Sequence, residues 1–326
     1  MANKNRLLYV LRLLLEETDD LHGLTREEIE VALLRQGIEV NRKTVYDDIA
    51  ALEAFGIAVE KRKQQKETRY HVVGREFELP ELKLLVDAVQ SSKFITKKKS
   101  DGLIRKLERL ASRYEGQQLQ RQVYVSDRIK TENESIYYGV DAIHTAIGGG
   151  KKISFDYFHW TVEKKKAYRN GGRRYVVSPL ALVWEDENYY LIAYNASRGM
   201  IRHYRVDKME KIEIMDETRD TLSVPFDAAS YTNRTFGMYG GEEALVTIRC
   251  AEALAGVVID RFGRDTHFDR VDDSHFEFRA RVHVSPQFFS WVLGLGNQAE
   301  IVAPDSVREK FRTELSETLA LYGENG

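Results

Sequence analysis

Asn41-Arg42-Lys43-Thr44-Val45-Tyr46-Asp47-Asp48-Ile49, running on through Leu52 and Phe55 to Gly56, is the stretch from which the rest of the chain is read. Asparagine can close a helix N-terminus by accepting an orphan backbone N–H on its side chain. Val45, Ile49, Leu52 and Phe55 follow at helical spacing, and Gly56 supplies the residue that ends such a helix. Directly after it, Ile57 to Arg62 and Thr68 to Val73 alternate as two strands around the polar tip Lys63-Gln64-Gln65-Lys66-Glu67. Upstream, Thr25 with Glu28 three residues later predicts the capped start of a helix carrying Ile29, Ala32 and Leu33, stopped by Gly37. Residues 4–17 form another, with Leu7, Leu8, Leu11, Leu14 and Leu15 on one face.

Three helices and a two-stranded basic hairpin within about 70 residues describe a winged helix. In that arrangement the N-terminal end of the third helix faces the major groove, and here it carries Asn41, Arg42, Lys43, Thr44 and Tyr46. Arginine and lysine can donate to guanine, asparagine can bracket adenine, and threonine and tyrosine suit phosphates or a thymine methyl. The hairpin adds Lys61, Arg62, Lys63 and Lys66. The competing reading is a helix of an unrelated all-helical domain with its polar end in water; the basic hairpin that follows favours DNA. Asp47 and Asp48 would lie close to phosphates, so at least one is expected to be taken up by an intramolecular pair or cap.

Outward from this region the pattern changes twice. Leu79 to Ser92 and Ser100 to Glu115 read as helices with charged faces and few apolar residues, a connector. From Lys152 the period becomes two. Strands are expected at Ile153 to Tyr157, Tyr175 to Trp184, Tyr189 to Tyr194, Met200 to Val206 and Lys211 to Met215, which suggests a small barrel. The remainder reads strand (Ala244 to Cys250), helix (Ala251 to Phe262), hairpin (Thr266 to Val271 with His275 to Val284), helix (capped by Ser285, opened by Pro286), short strand (Glu300 to Val302) and a last helix capped by Asp305. That order fits a ferredoxin-like α+β sandwich.

Composition sets the limits. A chain of 326 residues predicts two or three folded units, and 43% hydrophobic with 31% charged residues can build real cores. The net charge of -2 conceals basic clusters. Basic and acidic groups cancel over positions 1–75, while Lys93, Lys97, Lys98 and Lys99 crowd a second segment, and Lys164, Lys165, Lys166, Arg169, Arg173 and Arg174 a third. A single cysteine, Cys250, excludes an internal disulfide and a cysteine-rich zinc site, and points to a reducing compartment. The apolar start at Leu7 is broken by Arg12 and reads as a helix, not a signal peptide. No apolar run approaches membrane-spanning length. A cytoplasmic protein with no membrane partner is expected.

Enzyme signals are weak. Gly148-Gly149-Gly150 before Lys151 lacks the spacing and the hydroxyl residue of a phosphate loop and reads as a hinge, and Gly294-Leu295-Gly296 follows a helix, the wrong setting for a dinucleotide fingerprint. The histidines contain no HExxH pair, and Cys250 reads as a core thiol. Asp186, Glu187, Asp216 and Glu217 could be offered as a metal-dependent nuclease cluster, but read as turns. No cofactor, metal or catalytic residue is expected.

The run Asn41 to Ile49 with Leu52 and Gly56 resembles the recognition helix of the DeoR-type winged helix at the head of WYL-domain transcription regulators. Ser178-Pro179-Leu180-Ala181-Leu182-Val183, Tyr189-Tyr190-Leu191-Ile192-Ala193-Tyr194 and Ile201-Arg202-His203-Tyr204-Arg205-Val206-Asp207 are similar to the WYL domain, and Ala244 to Tyr322, with Asp260-Arg261-Phe262-Gly263 and Trp291 to Gly296, to the extension that often follows it. Three positions depart from the pattern: Asp47 stands where arginine is usual, Tyr189 replaces the eponymous tryptophan, and Lys208 stands in for arginine. The resemblance implies an Sm/SH3-like barrel that senses a nucleic-acid fragment or nucleotide-like anion, with Ser154, Tyr157, Tyr189, Tyr190, Arg202, Tyr204 and Arg205 as its ligand residues. Arginine forks match phosphates and aromatic rings stack on bases. Strand alternation would put Arg202 and Arg205 on opposite faces unless a bulge intervenes. His203 reads as a structural neighbour.

The expected protein is an α+β multidomain chain: winged helix-turn-helix (1–75), helical connector (76–135), WYL barrel (136–220) and ferredoxin-like extension (221–326). Its expected role is a homodimeric, effector-responsive regulator bound to double-stranded operator DNA, its effector single-stranded nucleic acid or a nucleotide. The alternative is a nucleic-acid-binding accessory or nuclease-associated factor whose barrel holds single strands.

Overall fold

The computed structural model describes residues 2–64, 66–119, 136–223 and 225–323. Helix and sheet are mixed, and the chain divides into two compact units, Met1–Glu134 and Ser135–Gly326. Gln65 of the hairpin tip and the part of the expected connector after Leu119 lie outside the described residues.

In the first unit, α1 (Ala2–Glu17) buries Val10 and Leu14 and ends where the Thr18 hydroxyl donates to the Leu14 carbonyl at 2.6 Å. A two-residue strand, β1 (Leu24–Thr25), leads into α2 (Arg26–Leu34). The expected capping box is present: the Thr25 hydroxyl accepts from the Glu28 N–H at 3.2 Å, and the Glu28 carboxylate from the Thr25 N–H at 2.7 Å. Helix α3 (Arg42–Phe55) is capped by Asn41 and stopped by Gly56 in the left-handed region at φ 105°. Strands β2 (Val59–Gln64) and β3 (Glu67–Val72) form an antiparallel hairpin, and β1 completes a sheet of order β1-β3-β2. Ile29, Leu33, Val45, Ile49 and Leu52 from α2 and α3 close over Val10, Leu14, Tyr70 and Val72 as one core.

The connector departs from expectation. After α4 (Leu79–Ser91), two helices replace the single one expected over residues 100–115: α5 (Lys97–Glu108) and α6 (Arg113–Leu119). The Thr96 hydroxyl takes the Lys99 N–H at 3.2 Å and starts α5 early, while Ser112 and Glu115 exchange side-chain-to-backbone bonds at the start of α6. Leu82, Val86, Ala111 and Leu119 give these helices a small core of their own.

The second unit opens with α7 (Ile136–Gly148), a helix that falls outside every element expected from the sequence pattern. The glycines expected to form a hinge end this helix in a tight turn, Gly150 at φ 61°. A six-stranded sheet follows: β4 (Lys151–Trp160), β5 (Lys166–Tyr168), β6 (Tyr175–Glu185), β7 (Asn188–Asn195), β8 (Met200–Arg205) and β9 (Met209–Thr218). Its order is β5-β4-β6-β7-β8, with β9 pairing β4. Pro179 falls at an irregularity in the β6–β7 ladder, where a missing N–H is tolerated. Strand β5 occupies a stretch whose composition is that of a loop, and Asp216 and Glu217, expected in a turn, lie in β9.

A short helix, α8 (Ala228–Asn233), leads to β10 (Glu242–Ala251), α9 (Ala255–Phe262), β11 (Phe268–Arg270), β12 (His275–Val284), α10 (Pro286–Gly294), β13 (Ala299–Ala303) and α11 (Asp305–Leu321). The strands form an antiparallel sheet of order β11-β12-β10-β13. Ser285 caps α10 as expected, its hydroxyl accepting from the Phe288 N–H at 3.3 Å. Asp305 does not cap α11: Pro304 holds the cap position and Asp305 is the first helical residue. Among the described residues no helix is long and apolar enough to cross a membrane.

Candidate functional site

In the first unit, Asn41 Oδ1 accepts both the Thr44 backbone N–H and the Thr44 hydroxyl at 3.0 Å, so these two side chains hold the end of α3 together. Arg42 and Tyr46, one turn apart, form a pair. Arg42 Nε donates to the Tyr46 hydroxyl at 3.2 Å, and its guanidinium lies 5.5 Å from the ring centroid. Lys43 is exposed, with no acidic partner among the described residues. Asp48 points the other way, with only 5% of its surface exposed, and receives Arg6 in a two-pronged contact of 2.7 and 2.8 Å.

The hairpin continues this surface. Alternation puts Lys61 and Lys63 on the face shared with Val59 and with Tyr70. The Tyr70 ring lies 6.5 Å from that of Tyr46. Lys61 reaches Glu53 of α3 at 3.8 Å, and Lys63 and Lys66 are exposed without acidic partners among the described residues. Arg62 falls on the opposite face and donates to the Asp20 carbonyl at 2.7 Å. Arg42, Lys61 and Lys63 therefore belong to one side, where they can meet phosphates or base edges, and the exposed Lys43 adjoins Arg42 in the first turn of α3; Arg62 lies on the other side.

In the second unit, aromatic residues of β4, β6 and β8 meet. Phe155 stacks on Tyr175 at 5.5 Å, and Tyr157 meets the buried Tyr204 edge-on at 5.4 Å. The Tyr204 hydroxyl accepts from Asn195 Nδ2 at 3.2 Å. The Tyr157 hydroxyl accepts the Arg205 backbone N–H at 3.2 Å, and burial pushes this phenol up to about 12, so it stays neutral.

Strand β8 runs along β7 without a register shift, Tyr190 opposite Arg205 and Ala193 opposite Arg202. The two arginines consequently lie on opposite faces. Arg205 is gripped by Asp207 at 3.0 and 2.9 Å and by Asn188 Oδ1 at 2.8 Å. Around it gathers positive charge. The Arg169 guanidinium lies 5.9 Å from the Tyr157 ring centroid. The Lys208 ammonium is pushed below its ordinary value by burial and then by the charge of Arg205. An anion at this corner would relieve that repulsion.

The structure thus brings Tyr157, Tyr190 and Arg205 into one neighbourhood, which Tyr204 meets through the Tyr157 ring from the other face of β8, and leaves three expected residues outside it. Arg202 is on the other face, its Nε buried without a hydrogen bond among the described residues. The Tyr189 ring lies 4.7 Å from Trp184, on the face of β7 opposite Tyr190. Ser154 is 7% exposed and offers its carbonyl to Arg174 at 3.2 Å. Arg169, Asn188 and Asp207 were not among the expected site residues; Arg169 could have been found, since it belongs to the third basic cluster.

No curated protein matches the chain. Among solved structures, Proteasome accessory factor B/C (PafBC) of Arthrobacter aurescens aligns at 17% identity over 98% of this chain and 49% of that one, with a TM-score of 0.28. This chain therefore spans about half the length of that relative. A structure described as a CRISPR Cas-related protein aligns at 14% identity over 90% of this chain and 76% of that one, with a TM-score of 0.27. Within the second unit, residues 139–214 match the WYL domain and residues 242–319 match the WCX domain.

Proposed function

We infer that this chain is a DNA-binding transcription regulator and not an enzyme. Residues 1–75 are read as a DeoR-type winged helix-turn-helix, the WYL region as a small Sm/SH3-like barrel sensing a nucleotide-like anion or nucleic-acid fragment, and the WCX region as a ferredoxin-like support. The observation that carries the reading is the common side shared by Arg42 at the start of α3 and Lys61 and Lys63 on β2, which matches a recognition helix flanked by a basic wing. The effector corner is Arg205, Arg169 and Lys208 beside Tyr157 and Tyr190, where arginine forks suit phosphate and rings suit a base. A single winged helix reads few base pairs, so a homodimer on two half-sites supplies the specificity.

The test is a salt titration of binding to the duplex upstream of the chain's own gene and to random duplex. A steep salt slope with a specific excess is expected. Arg42→Ala should cost about 1 to 3 kcal/mol if it reads a base, and Lys43→Ala about one unit of salt slope if it holds a phosphate. Equal, weak binding to both duplexes, unmoved by either substitution, removes α3 from the groove.

A further inference from the structure

Helical side chains lean toward the N-terminus of their helix, so Tyr46, one turn after Arg42 in α3, reaches back toward it. The atoms of this contact matter. Arg42 donates to the Tyr46 hydroxyl from Nε, the guanidinium nitrogen nearest the backbone, at 3.2 Å. A guanidinium carries five N–H donors in a rigid fork, and a bond at Nε leaves the Nη1 and Nη2 pair at the far end uncommitted. No acid takes that end. Among the described residues Arg42 forms no ion pair, and Glu27, an acid that responds to its charge, is held by Arg26.

Tyr46 is backed in turn by the wing. Its ring lies 6.5 Å from that of Tyr70 at an angle of 49°, and Tyr70, on β3, belongs to the core of the first unit with 4% of its surface exposed. Burial, and after it the Tyr46 phenol, push the Tyr70 phenol up, so it stays neutral. A line of three side chains therefore runs from the core of the wing through the third helix to its exposed first turn.

We propose that Tyr46 is a positioning residue that presents Arg42 end-on to the major groove, and that Arg42 thereby selects guanine at one position of the DNA site. This deepens the DNA-binding reading and rests on it. Two parallel N–H donors match O6 and N7 of guanine, both acceptors. Adenine places an N–H donor beside N7, so one donor of Arg42 would face another; thymine offers one acceptor, and cytosine a donor. A guanidinium released from Tyr46 can offer its Nε edge as readily as its far end and loses its register on the base. Holding a flexible arginine before DNA arrives also removes part of its ordering cost.

The experiment selects duplexes from a randomised pool with the full chain, then measures affinity for the selected duplex and its single-pair replacements by fluorescence anisotropy across a salt series. Arg42→Ala, a change at an exposed residue, locates the position. Wild type should prefer G·C to A·T there about 5- to 150-fold, the worth of one bidentate pair, and Arg42→Ala should bind the two alike. Tyr46→Phe keeps the ring beside Tyr70 and removes only the acceptor, so the preference at that position should fall toward parity. A merely structural role would instead weaken every duplex by the same factor. Three outcomes overturn the proposal and leave the DNA-binding reading standing. These are a selected site without such a guanine, an Arg42→Ala variant that loses about one unit of salt slope and no base preference, and a Tyr46→Phe variant with the wild-type preference. Failure to enrich any duplex overturns both.

Discussion

Asp48 sits on a helix whose polar end is assigned to DNA, yet its carboxylate faces inward and is matched by Arg6, 42 residues earlier in the chain. Both oxygens are engaged, and the arginine keeps only 21% of its side chain exposed, so the pair is largely shielded from water. Removing one member of such a pair leaves the other charge partly desolvated, which costs more than the pair itself contributes. Asp48→Ala is expected to destabilise the first unit by about 3 kcal/mol, measured as a lowered urea midpoint with unchanged slope; a shift within ~0.5 kcal/mol, the size of an ordinary surface substitution, would mean that Arg6 returns to water at no cost. The need for an internal partner was legible, since two adjacent aspartates cannot both face phosphates. The identity of that partner was not, because an ion pair between distant segments leaves no spacing to read. Asn41 and Gly56 were legible for the opposite reason: a cap acts on the next three backbone groups, and a left-handed stop acts on its own φ.

At the scale of elements, two glycines illustrate different constraints. Gly56 holds φ 105° in open space. Alanine there meets backbone strain alone, about 1 kcal/mol. Gly241 directly precedes β10, where a Cβ would lie 1.9 Å from the Val284 carbonyl oxygen of β12. Neither strand can give way without disturbing the ladder between them, so Gly241→Ala should cost at least about 2 kcal/mol, at the upper part of the range for overpacking. Thermal unfolding of the two variants checks the order; a Gly241 variant no worse than the Gly56 variant would show that the β10–β12 edge relaxes freely. The helices and strands legible in the sequence are those long enough to repeat a pattern, such as α3 and β12. Strands β1 and β5, of two and three residues, are shorter than any period and exist through pairing with β3 and β4. Helix α7 ends in three glycines that dominate the local pattern, and Asp305 carries the chemistry of a cap while Pro304 occupies the place. The site follows the same division: the alternation of β8 correctly separates Arg202 from Arg205, whereas Arg169 shows in the sequence as part of a basic cluster but its place beside Tyr157 depends on a strand too short to show a period.

At the scale of the second unit, its two sheets are tied through a partly buried polar path. His203 of β8 contacts the Met238 carbonyl through Nδ1 at 2.5 Å and the Tyr231 hydroxyl through Nε2 at 2.9 Å. A carbonyl can only accept, so Nδ1 carries the proton; burial disfavours the charged ring, and in the neutral ring Nε2 accepts from the tyrosine hydroxyl. The Tyr231 ring lies 4.9 Å from that of His283 on β12, whose Nδ1 is 2.9 Å from the Thr235 hydroxyl. Burial pushes both histidines below their ordinary value. For His203 the charge of His283 adds to this and the Met238 carbonyl opposes it; for His283 the charge of Arg234 adds and Glu243 opposes. A histidine whose folded-state value is depressed binds fewer protons folded than unfolded, so stability falls as acid is added. The loss should begin as pH drops through about 6.5, the ordinary histidine value, and continue toward the lower folded-state values, at a slope of up to about 1.4 kcal/mol per pH unit for each histidine. Urea unfolding between about pH 7 and pH 5, above the ordinary carboxylate range, isolates this effect, and His203→Gln with His283→Gln should flatten the slope while lowering stability at pH 7. A slope that survives both substitutions would place the acid sensitivity elsewhere and leave the path between β8 and β12 a purely structural link.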